Sequence, residues 1–271
     1  MKWWLCVGLL FSAGAWAGTP QRVVSLGGSV TEIVYELGQG ARLAADDLSS
    51  LYPEAATRLP RVGYYRALPV EGVLSMRPDL VLASEHAGPP LAIKRIGDLG
   101  IKVETVSDAP SVASLYQRIT QIAHALGVPA RGVELLAQTR HNVERAQALP
   151  AVRRRAVLVI NRTGQFQGAG RDTAADALLG LAGLDNALAR QQGYKPLSSE
   201  GLAALAPDMI VVTRASVQAS GGLAGFLGNP GVAATPAAAA QRIVVMDDLL
   251  ALGLGPRLAQ AIRQLKDAAG R

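Results

Sequence analysis

The sequence has one cysteine, Cys6, and three tryptophans, Trp3, Trp4 and Trp16, and all four lie within its first 16 residues. The remainder has neither type, which excludes a disulfide framework, a thiolate metal site and cysteine nucleophilic catalysis there. Histidine is nearly as scarce: His86, His124 and His141 are too few and too dispersed for a zinc site of known spacing. There is no serine in a G-x-S-x-G elbow, no paired-carboxylate motif and no Cys–His arrangement. An enzyme reading therefore has no nucleophile or metal cluster to stand on. The net charge of +6 is spread along the chain, and its one basic run, Arg153-Arg154-Arg155, reads as a solvated stretch before a strand, so no nucleic-acid partner is expected.

What is present begins with Lys2, an apolar stretch and Ala15-Trp16-Ala17, the pattern of a secretory signal peptide with an A-x-A cleavage site. The apolar run is shorter than the roughly 18 to 20 residues that span a bilayer. Export to the periplasm with cleavage after Ala17 is expected, and Cys6 lies too far before that site for acylation. The 271 residues less these 17 leave 254, with charge +5 after loss of Lys2. That length suits one large domain or two of ordinary size.

Val23-Val24-Ser25-Leu26 reads as a strand, Gly27-Gly28 as a turn, and Ser29-Val30-Thr31-Glu32 has capping-box form at a helix start. Asp79 to Ala83 reads as a buried strand, Leu91 to Leu99 as a helix and Ile101 to Val106 as a strand. From Ser111 to Ala148 only helical patterning occurs, broken at Gly127-Val128-Pro129. Its second piece, Ala130 to Ala148, is about 28 Å long at roughly 1.5 Å per residue, enough to cross between two lobes. Strands at Ala156 to Ile160, Met209 to Thr213 and Ile243 to Met246 then alternate with helices. Such alternation implies α/β lobes with mainly parallel sheets.

An internal repeat supports the division. Glu71–Ser84 aligns without gaps on Glu200–Thr213, an offset of 129 residues. Each copy is a short helix stopped by proline and feeding a buried strand through aspartate. The expected architecture is two similar α/β lobes joined by a single long helix: an N-terminal lobe at 18–128, a connecting helix at 129–150 and a C-terminal lobe at 151–271. Ligand sites in such sheets lie beyond the carboxyl ends of strands, which selects Ser84 to Pro90 and Arg214 to Gly222 as cleft linings.

Gly63-Tyr64-Tyr65-Arg66 is the most informative local sequence, since two of the six tyrosines sit side by side next to an arginine. One reading has one tyrosine packing on the lobe and the other at the surface. The other has a phenolate binding ferric iron, as in axial tyrosine ligation of haem, its ionisation favoured by a nearby guanidinium. His124 and His141 fall in the helical middle region and read as surface or packing residues. His86, in the loop after a strand, can reach the cleft as a second ligand or pocket residue. Gly168-Ala169-Gly170-Arg171-Asp172-Thr173 lacks the third glycine of a dinucleotide fingerprint and stands seven residues beyond its strand, so it reads as a cleft loop entering a helix at Thr173.

At Val62-Gly63-Tyr64-Tyr65-Arg66, Glu71-Gly72-Val73-Leu74 and Ala83 to Pro90, and over the whole chain after the leader, the sequence resembles periplasmic haem-binding proteins of bacterial haem-uptake ABC transporters. These belong with the cobalamin- and siderophore-binding proteins of two lobes and a rigid connecting helix. The resemblance implies that Tyr64, directly after Val-Gly, is the axial ligand of haem carried as the transported ligand. It also implies that Arg214, from the second lobe, reaches the ligand. Glu71 and Glu200, one per lobe, would bridge to arginines of a homodimeric inner-membrane permease working with its ATPase, the binding protein itself being a monomer. The chain departs from the family pattern at Tyr65, where another residue type is expected, and at His86, where an acidic residue often stands. Both remain candidate contacts. A ferric-siderophore or cobalamin binder has the same architecture and is the alternative.

Overall fold

A computed structural model describes residues 18–162 and 164–271, so the leader and its cleavage site lie outside the described residues. The chain enters through β1 (Val23–Leu26), every residue of which is buried, and passes through Gly27 into α1 (Gly28–Glu36). β2 (Leu43–Asp46) leads into a long loop, followed by α2 (Val70–Ser75), β3 (Leu80–Ser84), α3 (Pro90–Asp98) and β4 (Lys102–Val106). The four strands form an all-parallel sheet in the order β2-β1-β3-β4. β1 and β3, buried at every residue, occupy its middle, as strands covered on both faces do.

Two helices then follow without a strand. Ser111 caps α4 (Val112–Ala125) by accepting from the Ser114 N–H, and Pro129 opens α5 (Pro129–Ala148) at a position where its missing donor costs nothing. The second half holds β5 (Arg155–Asn161), β6 (Phe166–Ala169), α6 (Ala174–Leu181), β7 (Asp185–Asn186), β8 (Tyr194–Pro196), α7 (Ser199–Leu205) and β9 (Met209–Thr213). Then come α8 (Arg214–Ala219), α9 (Gly222–Leu227), α10 (Pro230–Ala233), α11 (Pro236–Ala239), β10 (Ile243–Met246), α12 (Asp248–Leu252) and α13 (Leu258–Ala269). Here the order is β10-β9-β5-β6-β8 with β7 also on β5. β10, β9 and β5 run parallel, whereas β6 is antiparallel to both β5 and β8. The expectation of two mainly parallel α/β lobes holds, and the antiparallel ribbon β6–β8 is an addition to it.

The repeat is structural as well as sequential. Arg77 (φ 46°) and Ala206 (φ 44°) occupy equivalent left-handed positions between helix and Pro-Asp. Asp79 then accepts from the Gln21 and Arg22 amides at 2.7 and 3.0 Å, as Asp208 accepts from the Arg155 amide at 3.0 Å. Arg22 donates to the Met76 carbonyl at 2.7 Å and Arg155 to the Leu205 carbonyl at 2.6 Å. Each Pro-Asp thereby fastens the entry of the neighbouring strand, and each arginine satisfies a carbonyl left open at a helix end.

One apolar core runs beneath both sheets. It joins Leu80 and Leu82 of β3, Ile119 of α4, Leu135 and Val143 of α5, Leu158 of β5, Val211 of β9 and Ile262 and Leu265 of α13. α5 packs along α4 on one side and along α13 on the other. The buried Lys266 donates to the Gln147 and Leu149 carbonyls at 2.5 and 2.6 Å, closing the C-terminal end of α5.

The capping box expected at Ser29 to Glu32 does not form. Gly27 is the N-cap without a side-chain bond, and Thr31 bonds instead to the Ser25 and Ser50 hydroxyls at 2.7 and 2.6 Å. Glu32, fully buried, receives Arg257 from the start of α13 at 3.0 and 3.2 Å. The Arg257 guanidinium lies 3.5 Å above the Tyr52 ring centroid. Nearby, the buried Arg118 of α4 pairs with Asp108 and donates to the Leu254 carbonyl at 2.8 Å. Two arginines thus clasp the lobes together beside α5.

Candidate functional site

The tyrosine pair sits on a loop held at the carboxyl edge of the first sheet. Gly63 (φ 104°) turns the chain where a Cβ would stand 2.7 Å from Pro69 Cδ, so the loop and its glycine belong together. Asp47, just beyond β2, accepts the Tyr65 amide at 3.3 Å, and the Leu48 amide donates to the Gly63 carbonyl at 2.9 Å. From the other side the loop after β3 closes on it: the Gly88 amide donates to the Tyr65 carbonyl at 2.8 Å and the Leu68 amide to the Gly88 carbonyl at 2.7 Å.

Within this frame the two phenols differ. Tyr65 is buried and Tyr64 half-buried, their rings meeting edge to face at a centroid distance of 5.2 Å. Arg66 Nε donates to Tyr65 Oη at 2.8 Å. Burial pushes the Tyr65 phenol up to about 12, with Arg66 opposing and Asp108 and Tyr64 adding to the rise. Tyr65 is thus kept protonated and engaged. Arg66, which with Arg214 was expected to favour ionisation of the Tyr64 phenol, bonds in this structure to the Tyr65 phenol.

His86 is brought into the same loop cluster. Its amide donates to Ser84 Oγ at 3.1 Å, and Ser84 Oγ donates to Asp108 at 2.6 Å. The residue is exposed, and its imidazole has no hydrogen-bond partner among the described residues. Arg214 is the exposed first residue of α8, at the carboxyl end of β9 as expected, but it makes no ion pair or hydrogen bond with the tyrosine loop. Glu71 and Glu200 are exposed in the first turns of α2 and α7, and neither forms an ion pair among the described residues. His124 and His141 are exposed on α4 and α5, away from this loop. Thr173 caps α6 by accepting from the Asp176 amide, as the glycine-rich segment before it suggested.

Tyr194, which sequence reasoning passed over, lies in the second lobe within electrostatic range of Arg66. It lies at the start of β8 with 36% of its surface exposed. Desolvation in the cleft raises its phenol, while Thr173 and the positive charges of Arg66 and Arg162 oppose the rise. Arg66 belongs to the first lobe, so the two walls approach here. The signal was available: carried back six residues, the repeat sets Tyr65-Arg66-Ala67-Leu68 on Tyr194-Lys195-Pro196-Leu197. Tyr64 then falls opposite Gly193, which leaves it without a counterpart in the second copy.

Such a cleft offers one half-buried phenol, basic groups on both walls and no nucleophile–base pair. Among the described residues no three histidine, cysteine, aspartate or glutamate side chains converge as a metal site.

A family model described as periplasmic binding protein matches residues 23–250. The uncharacterized ABC transporter substrate-binding lipoprotein YvrC of Bacillus subtilis is 30% identical over 256 residues, which cover 92% of this chain and 80% of the relative. A vitamin B12-binding protein of Pectobacterium atrosepticum is 26% identical over 271 residues, covering 97% and 92%. Among solved structures, the periplasmic heme-binding protein RhuT from Roseiflexus sp. RS-1 in apo form superposes with a TM-score of 0.86 at 38% identity, over 92% of this chain and 99% of that one. The periplasmic heme-binding protein BhuT in complex with two hemes gives 0.85 at 41% identity, over 93% and 100%. Paired α/β lobes on a shared helical spine agree with these matches: the chain belongs to the periplasmic binding protein family, the solute-binding proteins of ABC transporters and not enzymes.

Proposed function

We propose that the protein binds haem in the cleft between its lobes through the Tyr64 phenolate and delivers it from the periplasm, as a monomer, to an ABC permease and its ATPase. The observation that carries this reading is the division of labour in the tyrosine pair. Tyr65 is locked to Arg66 and kept neutral, which leaves Tyr64 as the loop's available oxygen donor. A metal that arrives within its own macrocycle needs only one or two protein ligands, which fits a cleft without a ligand cluster. Ferric iron is a hard cation, and its charge beside the phenol favours the ionised form. The basic groups Arg66, Arg162 and Arg214 suit the two carboxylates of haem, and Tyr194 adds a phenol on the opposite wall. His86 is placed to act as a sixth ligand or a carboxylate contact. The two solved heme-binding relatives support the ligand class.

Delivery rests on Glu71 and Glu200. They stand at equivalent positions of the repeat, exposed and without an ion pair among the described residues, and offer two carboxylates in pseudo-twofold relation to a homodimeric permease. A cobalamin ligand is the second reading, favoured by the name of the Pectobacterium relative.

Titration of the apo protein with hemin and with cyanocobalamin separates the two. Hemin is expected to develop a haem band with tyrosinate charge-transfer absorption. Tyr64→Phe should lose that absorption and much of the affinity, while Tyr65→Phe keeps both. Binding of cyanocobalamin with no response to hemin would overturn the haem reading, and a reversed result for the two tyrosines would move the ligand to Tyr65.

A further inference from the structure

The geometry points to Asp47 as the positioning residue that aims the Tyr64 phenol into the cleft, an inference that rests on the reading of Tyr64 as the ligand. Asp47 is fully buried and makes no hydrogen bond to either phenol, yet its segment grips the backbone on both sides of Tyr64. The peptide before Tyr64 is fixed by the Leu48 amide, which donates to the Gly63 carbonyl at 2.9 Å. The peptide after it is fixed by the Tyr65 amide, which donates to Asp47 Oδ2 at 3.3 Å. The two dihedral angles of Tyr64, φ −92° and ψ 125°, are therefore set by residues 47 and 48, and with them the direction in which the side chain leaves the loop.

The carboxylate can do this because it is itself held by four other donors. Oδ1 accepts from the Gly27 amide at 2.9 Å, Ser49 Oγ at 2.9 Å and Ser50 Oγ at 3.2 Å, and Oδ2 also accepts from the Ser49 amide at 2.9 Å. Every donor is neutral, and each bond to the ionised group is a charge-assisted one. Ser50 Oγ continues to Thr31 at 2.6 Å and Thr31 to Ser25 at 2.7 Å, so the anchor is tied through buried hydroxyls to α1 and β1. The phenol is thus aimed from a fully buried part of the lobe. Its neighbour Asp46 is equally buried, but its side chain bonds to Arg61 at 2.8 Å and to no amide of the tyrosine loop.

The test compares Asp47→Ala with Asp46→Asn and wild type by hemin titration, the tyrosinate charge-transfer band and thermal unfolding. Asp47→Ala should weaken hemin binding by about tenfold to a hundredfold, the scale of losing a buried bond to a charged group, and should shift or split the charge-transfer band. Asp46→Asn should leave band and affinity unchanged whatever it does to stability. Amide exchange at Tyr65 in wild-type apo protein needs no variant and should be slow. Folded Asp47→Ala with a wild-type band and affinity, or a Tyr65 amide that exchanges as fast as an open loop, overturns the assignment. Failure of wild type to bind hemin would instead sink the haem reading, while Tyr65 exchange would still report on the pin.

Discussion

At the scale of single residues, the adjacent Asp46 and Asp47 show how the same side chain, equally buried, is met in different ways. Asp46 has one ion pair, to Arg61, and its Oδ2 has no hydrogen-bond partner in the protein. Its carboxyl is pushed up to about 7, chiefly by desolvation, with Arg61 opposing and Asp47 adding to the rise. A folded value above the unfolded one means that the native state favours the protonated form. The contribution of Asp46 to stability is then present below about pH 4 and is lost as pH climbs toward 7. That loss is on the order of 4 kcal/mol at most, taking about 1.4 kcal/mol per unit. Asp46→Asn should remove it, so the fall in melting temperature between pH 5 and pH 8 should be smaller in the variant; equal slopes would refute the assignment. Glu32, also raised by burial, tilts both proteins in the same direction and does not disturb the comparison. The tyrosine pair was legible in the sequence as a candidate site. The partner of Arg66 was not, because which phenol it meets depends on the zipper to Gly88, more than twenty residues away along the chain.

At the scale of elements, sequence reasoning located β1, β3, β4, β5, β9 and β10; of these β1, β3, β5 and β9 lie inside their sheets, where burial itself writes the pattern, and β4 and β10 lie at edges. β2, β6, β7 and β8 escaped notice because they are two to four residues long and carry no alternation. The capping-box signature at Ser29 to Glu32 misled for a different reason: Glu32 answers to Arg257, 225 residues later, and a tertiary partner outbid the local one. Loops can be ranked by the same physics. Gly63 and Gly100 both have positive φ, but a Cβ at Gly63 would meet Pro69 at 2.7 Å, whereas nothing lies within 4 Å at Gly100. Gly100→Ala should cost about 1 kcal/mol of left-handed strain. Gly63→Ala should cost more, about 2 to 3 kcal/mol, and weaken hemin binding because it shifts the tyrosine loop. Denaturant unfolding of both variants beside a hemin titration decides this, and equal costs would show that the Pro69 contact yields freely.

At the scale of the whole molecule, the two-lobed plan was legible from the repeat, while the clasp beside the connecting helix was not. Glu32–Arg257 and Arg118–Leu254 add polar ties between lobes that a single helix would otherwise hold alone. Closure on ligand should be small: solution scattering with and without hemin is expected to give radii of gyration within about 1 Å, since α5 and the two arginine ties join the lobes. Glu32→Ala, which leaves a largely buried arginine with only its longer pair to Asp247 at 3.5 Å, should cost about 3 kcal/mol and broaden the scattering profile of the apo form. A contraction of several ångströms in wild type would contradict both the clasp and the helix. The apolar core that passes from β3 through α5 to β5 and α13 carries a further meaning. Neither sheet can lose its packing without exposing side chains that belong to the other, so the lobes are one cooperative unit of folding although they look like two. A ligand that grips only one wall of the cleft therefore shares its binding free energy with the entire chain, and occupancy anywhere in the cleft is felt as resistance to unfolding everywhere.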